Sequence, residues 1–311
     1  MHLPTGGHPA ARRLAHFARF FFRSRILGRD VPLIASVKLT YRCNLACSAC
    51  PFHRRAGEAG SHMDWDTARS SLDRLADMGC PIVVFEGGEP LLWSDHRHAF
   101  SELAGYAGKR FACTAATTNG TLGLDVPTDI LWVSVDGTRE THNLLRSGSY
   151  DTVMENLKTS HHPRLYVHYT LSRQNWMDFP AAVRTISALP AVKGITVQLF
   201  YPYQQGEEPL LLGPTERREI LGQAIRLKAG GYPILNSVWG LKAMVNNSWT
   251  CRARLLANVD PDGKISRGCY VKHRGVVVCS QCGFTPVAEA SGAYSFIPGP
   301  LMAGLRIFLA R

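Results

Sequence analysis

The sequence predicts an α/β fold in which a parallel sheet curves into a partial (βα)6, TIM-like barrel, followed by a small C-terminal domain. Short apolar runs recur from Leu33 onward, segments of helical period fill the gaps between them, and glycines or short polar residues gather at the run ends. Strands are expected near 33–39, 81–85, 110–116, 130–135, 165–171 and 194–199. The clearest helix is 64–78, started by Asp64, stopped by Gly79, and carrying Ala68, Leu72, Leu75 and Ala76 at helical spacing. Further helices are expected near 96–106, 151–160, 176–188 and 214–229. In a barrel of this kind the active site lies at the C-terminal strand ends, where the βα loops meet. After about residue 237 the pattern changes to Trp- and Gly-containing loops, a hairpin around Pro261-Asp262-Gly263 and four more cysteines. The expected division is a basic amphipathic helix in 1–30, the barrel core in 31–236, the appended domain in 237–290 and an amphipathic segment in 291–311.

A chain of 311 residues, 45% hydrophobic, can bury a sizeable core. Its formal net charge of +11 favours anionic partners, yet Lys and Arg form no dense run, so nucleic acid is not expected. Near the N-terminus Leu14, Phe17, Phe20 and Phe21 share one side of a helix, with Arg12, Arg13, Arg19 and Arg23 around the rest. This helix reads as a cap on the main domain, with peripheral contact at a membrane surface as the alternative; the C-terminal PLMAGLRIFLAR has the same mixture. No apolar run is long enough for a membrane span, and the arginine-interrupted start is a poor signal peptide. Nine cysteines without an export signal point to a reducing, cytoplasmic setting and to thiolate ligands instead of disulfides.

Cys43, Cys47 and Cys50 form a C-x3-C-x2-C pattern directly after the first strand. Three thiolates on one loop can hold three irons of a cubane, leaving the fourth open to the amino and carboxylate groups of a cofactor. The motif and its position resemble the radical S-adenosylmethionine (SAM) superfamily. The resemblance implies an enzyme in which a [4Fe-4S] cluster reductively cleaves SAM to a 5′-deoxyadenosyl radical that abstracts a substrate hydrogen atom, which gives these cysteines their catalytic role. That family commonly has an aromatic residue just before the third cysteine; here the position is Ala49, and Phe52 is the candidate for packing the adenine. A zinc site using the three thiols and His53 is the alternative, although zinc cysteines usually come as two close pairs.

Gly87, Gly88 and Glu89, followed by Pro90, resemble the family's GGEP motif, whose backbone and carboxylate bind the methionine amino group; Glu86 reads as structural. Thr118 and Asn119 in TTNG, and Ser134 and Asp136 in SVDG, are short polar side chains at strand ends, suited to ribose hydroxyls and a carboxylate. They look like segments of the superfamily branch that carries extra clusters, and Arg146 resembles that branch's arginine near the carboxylate.

Cys251, Cys269, Cys279 and Cys282 are arranged C-x17-C-x9-C-x2-C around the expected hairpin. They resemble the Twitch domain, a short form of the SPASM auxiliary-cluster domain, which implies a second, auxiliary [4Fe-4S] cluster with no open iron; zinc is the alternative. Cys80 and Cys113 read as core residues. The resulting expectation is a radical SAM oxidoreductase or bond-forming enzyme that oxidises or couples its substrate radical with help from the auxiliary cluster. A ferredoxin or flavodoxin would donate the electron, and a small molecule, a lipid or isoprenoid at a membrane, or a peptide would be the substrate. The non-enzyme alternative is an iron-sulfur or zinc protein that binds nucleic acid, in which the GGEP segment would have no purpose.

Overall fold

The computed structural model describes residues 10–274 and 276–309. The first nine residues of the N-terminal segment and the last two of the C-terminal one lie outside the described residues.

In chain order the elements are α1 (Ala10–Phe21), β1 (Ile34–Thr40), α2 (Trp65–Met78), β2 (Ile82–Gly87), β3 (Ser94–Asp95), β4 (His98–Ala99), α3 (Phe100–Gly108), β5 (Cys113–Thr118) and β6 (Ile130–Ser134). They continue with α4 (Arg139–Leu145), α5 (Tyr150–Thr159), β7 (Leu165–Leu171), α6 (Phe179–Ser187), β8 (Val192–Leu199), α7 (Pro214–Ala229), α8 (Val238–Met244), β9 (Leu256–Val259), β10 (Ile265–Arg267), α9 (Thr285–Tyr294) and α10 (Pro298–Phe308). The main sheet runs β10-β9-β1-β2-β5-β6-β7-β8. All pairings from β9 to β8 are parallel, and β10 returns antiparallel on β9. Parallel strands covered on both faces are buried nearly throughout, as in β6.

All six expected strands form, and the hairpin around Pro261-Asp262-Gly263 forms as β9–β10, hydrogen-bonded beside β1. α2 has the expected ends: the Asp64 carboxylate accepts from the Thr67 N–H at 2.7 Å, and Gly79 takes the left-handed conformation at φ +88°. α3 starts at Phe100 and not near residue 96, because Ser94 to Ala99 close a small hairpin with His96 at φ +44°. β5 starts later than expected because the chain after α3 completes another turn, with the Phe111 N–H donating to the Ala107 carbonyl at 3.1 Å. The short helix α4 was not expected from the periodicity.

The sheet does not close on itself. On its open side α9 packs across the end of β8, the Thr285 hydroxyl donating to the Val197 carbonyl at 2.8 Å. Phe17 of α1 and Ile307 and Phe308 of α10 pack against Ile82, Trp132 and Tyr166 at the strand starts. Phe20 is fully buried, edge-on to Tyr294 of α9. Arg13 makes a buried ion pair with Asp129, whose other oxygen accepts from the Thr114 N–H at 2.9 Å. The N-terminal helix therefore caps the main domain, with Leu14, Phe22 and Ile26 left exposed. Among the described residues no helix is long and apolar enough to cross a membrane. Cys80 and Cys113 are buried core residues, and burial pushes each thiol up to about 12.

Removing one partner of a buried ion pair leaves the other uncompensated. Arg13→Ala is expected to cost about 3 kcal/mol of folding stability, read as a lowered urea midpoint.

Candidate active site

Two backbone bonds lock the end of β2 to the start of the cysteine loop. The Gly88 N–H donates to the Thr40 carbonyl at 2.7 Å and the Glu89 N–H to the Arg42 carbonyl at 2.9 Å. Glycine is required here by the chain's own backbone. A Cβ on Gly87 would stand 2.4 Å from the Thr40 oxygen, and one on Gly88 2.2 Å from the Arg42 oxygen. The close approach expected for a ligand is thus first an approach between β2 and the loop.

Glu89 is fully buried. Its Oε1 accepts from the Thr118 hydroxyl at 2.7 Å and the Leu91 N–H at 3.1 Å, and its Oε2 accepts from the Asn119 N–H at 2.7 Å. Burial raises its carboxyl above the ordinary range, and these donors oppose that rise. The Asn119 side chain donates to Asn44 at 2.8 Å and lies 3.7 Å from the Cys43 sulfur. The TTNG strand end and the cysteine loop are therefore joined through Asn119.

Asp136 and Arg146 meet on the other side of the loop, Arg146 Nε donating to Asp136 Oδ2 at 2.6 Å, while Asp136 Oδ1 accepts from the Thr170 N–H at 2.8 Å. α4 sets this pair. His142 Nδ1 accepts from the Asp136 N–H at 3.3 Å, so the ring proton sits on Nε2 and is donated to the Ser149 hydroxyl at 3.1 Å. Burial holds His142 down at about 4, and it stays neutral. The Ser48 N–H bonds the Leu145 carbonyl at 3.1 Å and the Ala46 N–H the Ser147 hydroxyl at 3.0 Å, tying the loop to the end of α4.

All three cysteines are free and partly accessible. Burial raises their thiols, Cys50 to about 11. With Gly87, Gly88, Thr118, Asn119, Ser134, Asp136 and Arg146 they border one cavity of about 650 Å³ inside the barrel. Glu89 stands behind its rim. Phe52 also borders the cavity, stacked on Tyr41 with ring centres 5.2 Å apart. Glu86 borders it too, bonded to the Ser36 hydroxyl.

Sequence reasoning missed His168 on β7, which borders the same cavity. The Thr196 hydroxyl donates to the Val167 carbonyl at 3.3 Å and so accepts from His168 Nδ1–H at 3.1 Å, leaving Nε2 as an acceptor. Burial lowers His168 to about 4. A lone histidine in the middle of a strand gives no spacing signal.

Cys251, Cys269, Cys279 and Cys282 all border a second cavity of about 230 Å³, together with Asn247, Trp249 and Lys272. Asn247 donates toward the Cys282 sulfur at 3.7 Å and to the Cys279 carbonyl at 2.6 Å. Arg217 of α7, bonded to the carbonyls of Met244 and Gln281 at 2.5 and 2.7 Å, braces this loop from the barrel side. Among the described residues no group of three or more Cys, His, Asp or Glu side chains is drawn together closely enough to hold a single metal ion.

Residues 37–186 match the Radical SAM superfamily. The chain is 31% identical over 166 residues to the Fe-coproporphyrin III synthase of Methanosarcina barkeri, covering 50% of this chain and 41% of that protein. It is 27% identical over 180 residues to the mycofactocin maturase MftC of Mycobacterium tuberculosis, covering 54% and 43%. The chain spans about half the length of the curated relatives it matches. Streptococcus suis SuiB bound to S-adenosylmethionine shares the fold at a TM-score of 0.62 and 12% identity, covering 89% of this chain and 72% of that one. The structure of anSMEcpe with bound AdoMet does so at 0.55 and 18%, covering 85% and 83%. The family match spans the strands that carry the three-cysteine loop, GGEP and the Asp136–Arg146 pair, so residues 37–186 form a Radical SAM domain, and the enzyme-named relatives of that domain support an enzyme.

Proposed function

We propose that the chain reductively cleaves S-adenosylmethionine, abstracts a hydrogen atom from a substrate in the barrel cavity, and oxidises or couples the substrate radical with help from an auxiliary [4Fe-4S] cluster. The observation that carries this reading is the single cavity shared by Cys43, Cys47, Cys50, the β2 glycines and the Asp136–Arg146 pair. Cys43, Cys47 and Cys50 would hold the SAM-binding [4Fe-4S] cluster, which when bound supplies the electron for cleavage. The Gly87 and Gly88 carbonyls and Glu89 would orient the methionine amino group, Arg146 its carboxylate, and Thr118, Asn119, Ser134 and Asp136 the rest of the cofactor.

The four later cysteines fit an auxiliary cluster by chemistry and by their shared 230 Å³ cavity. Relatives include an Fe-coproporphyrin III synthase and a mycofactocin maturase by name, which accords with a small molecule or a peptide as substrate. Exposed Leu14, Phe22 and Ile26 on an arginine-rich helix favour peripheral contact with anionic membranes as an accompanying property. Changing all three to serine is expected to abolish co-sedimentation with anionic vesicles; unchanged sedimentation, or none by the native chain, would remove it.

Anaerobic reconstitution is expected to load about eight irons and yield 5′-deoxyadenosine after reduction. Replacing Cys43, Cys47 and Cys50 by alanine should abolish 5′-deoxyadenosine. Replacing Cys279 and Cys282 should leave about four irons and SAM cleavage intact. An absence of 5′-deoxyadenosine from the native chain under every reductant would refute the scheme. Thr118→Val, which takes a donor from buried Glu89, is expected to cost about 2 kcal/mol, measured by denaturant titration, and to weaken SAM binding.

A further inference from the structure

The barrel cavity extends beyond the groups assigned to the cofactor, and one of its walls is α9. Thr285, Pro286, Glu289, Ala290 and Ala293 of that helix border it, at spacings that put them on one helical face. Glu289 is the charged member of the set. Its Oε1 accepts from the Ser237 N–H at 2.8 Å, whereas its Oε2 is buried with no hydrogen-bond partner. Asn258, on β9, borders the same cavity. Its Nδ2 donates to the Gly268 carbonyl at 3.0 Å, which fixes Oδ1 as the acceptor, and that oxygen is buried and unpartnered too. Both oxygens can accept from a donor. A buried acceptor left without one costs about 1–3 kcal/mol, and native proteins normally fill such positions with water or a ligand.

The chemistry of the donor follows from the surroundings. Leu235, Leu256, Ala290, Leu301 and Leu305 also border the cavity and give it a largely apolar wall, which suits an apolar body. Among the described residues Glu289 makes no ion pair. The cations nearest it are Lys228 at the end of α7, whose ammonium is held by the Ile234 carbonyl at 2.5 Å, and, beyond it, Arg306 of α10. Ser237, the N-cap of α8, turns its N–H and its hydroxyl toward Glu289. A carboxylate in such a site gains most from a cation that brings its own hydrogen-bond donors.

We infer that Glu289, with Asn258 on the border of the same cavity, recognises a protonated amine on a substrate whose remaining body is apolar. This rests on reading the cavity as the substrate site. Burial raises the Glu289 carboxyl to about 7, with the Ser237 contacts and Lys228 opposing the rise. In the free protein it is largely protonated at pH 6 and largely ionised at pH 8. An alkylammonium stays charged across that range, so its affinity should rise about tenfold from pH 6 to pH 8 and level off above.

The test uses the full chain, reconstituted anaerobically, with n-octylammonium as the probe and n-octanol as the neutral control, followed by isothermal titration calorimetry. 5′-Deoxyadenosine formation is assayed on the same preparation, so failure of the radical chemistry is read separately from failure of recognition. The expected result is saturable octylammonium binding that tightens about tenfold between pH 6 and 8 and exceeds octanol binding at pH 8. Glu289→Gln keeps an oxygen for the Ser237 N–H and should lose both the pH dependence and about tenfold in affinity at pH 8. Equal binding of octanol and octylammonium at pH 8, pH-independent binding by the native chain, or no saturable binding would overturn the inference. Should Glu289→Gln not fold, the native chain's pH dependence and the octanol comparison decide alone.

Discussion

The buried carboxylate of Glu89 is the contact on which the rest of the active site depends. It is fully enclosed, so its negative charge is tolerable only because Thr118, Asn119 and Leu91 aim donors at both of its oxygens. Those donors sit at the end of β5 and in the turn after β2, and Glu89 can reach them only while the two strands end level. The same residue's N–H is bound to Arg42, at the mouth of the cysteine loop. One side chain and its own amide thus fix three separate pieces of chain, and the absence of Cβ atoms at residues 87 and 88 lets them approach so closely.

A second brace acts on the other side of the loop. Asp136 and Arg146 neutralise each other at 2.6 Å, and neutral His142 links the backbone of the first to the carbonyl of the second through Ser149. Because the Leu145 carbonyl at the end of α4 and the Ser147 hydroxyl just after it accept from the loop N–H groups of Ser48 and Ala46, the loop is held from β2 and from the end of α4 at once. Its backbone is committed to these bonds, while its three sulfurs remain free for ligation. A loop of nine or ten residues would otherwise have to be ordered by the metal alone, at an entropic cost of about 1–2 kcal/mol per residue.

Much of this was legible because it rests on short-range patterns. Asp64 and Gly79 mark the ends of α2 by local chemistry, and the six core strands are apolar runs that no distant contact has to explain. The three-cysteine loop and GGEP were legible as spacing. What escaped the sequence depends on contacts across the fold: α4 has too few apolar residues to show a period, and it exists because His142 and Leu145 are buried beneath the loop. His168 and Glu289 owe their character to burial in a shared cavity, which no window of sequence contains. The placement of the hairpin was legible, but its parallel alignment with β1, pairing Ser36 with Asn258, was not.

That alignment also changes how the second cysteine set relates to the first. Cys251 precedes β9 and Cys269 follows β10, so the strand pair between them is stitched to the edge of the barrel that leads into the first cysteine loop. Lys38 of β1 reaches Asp260 in the hairpin turn at 2.8 Å, and the hydroxyl of Tyr41, beside Cys43, lies 3.4 Å from the same carboxylate. On the other side, Cys282 is followed within three residues by Thr285, the residue that anchors α9 to β8 and begins the wall of the cavity. The four later thiols therefore stand between the two halves of the barrel's closure. The segment that carries them runs from the approach to β9 to the start of α9, and both of those elements border the barrel cavity.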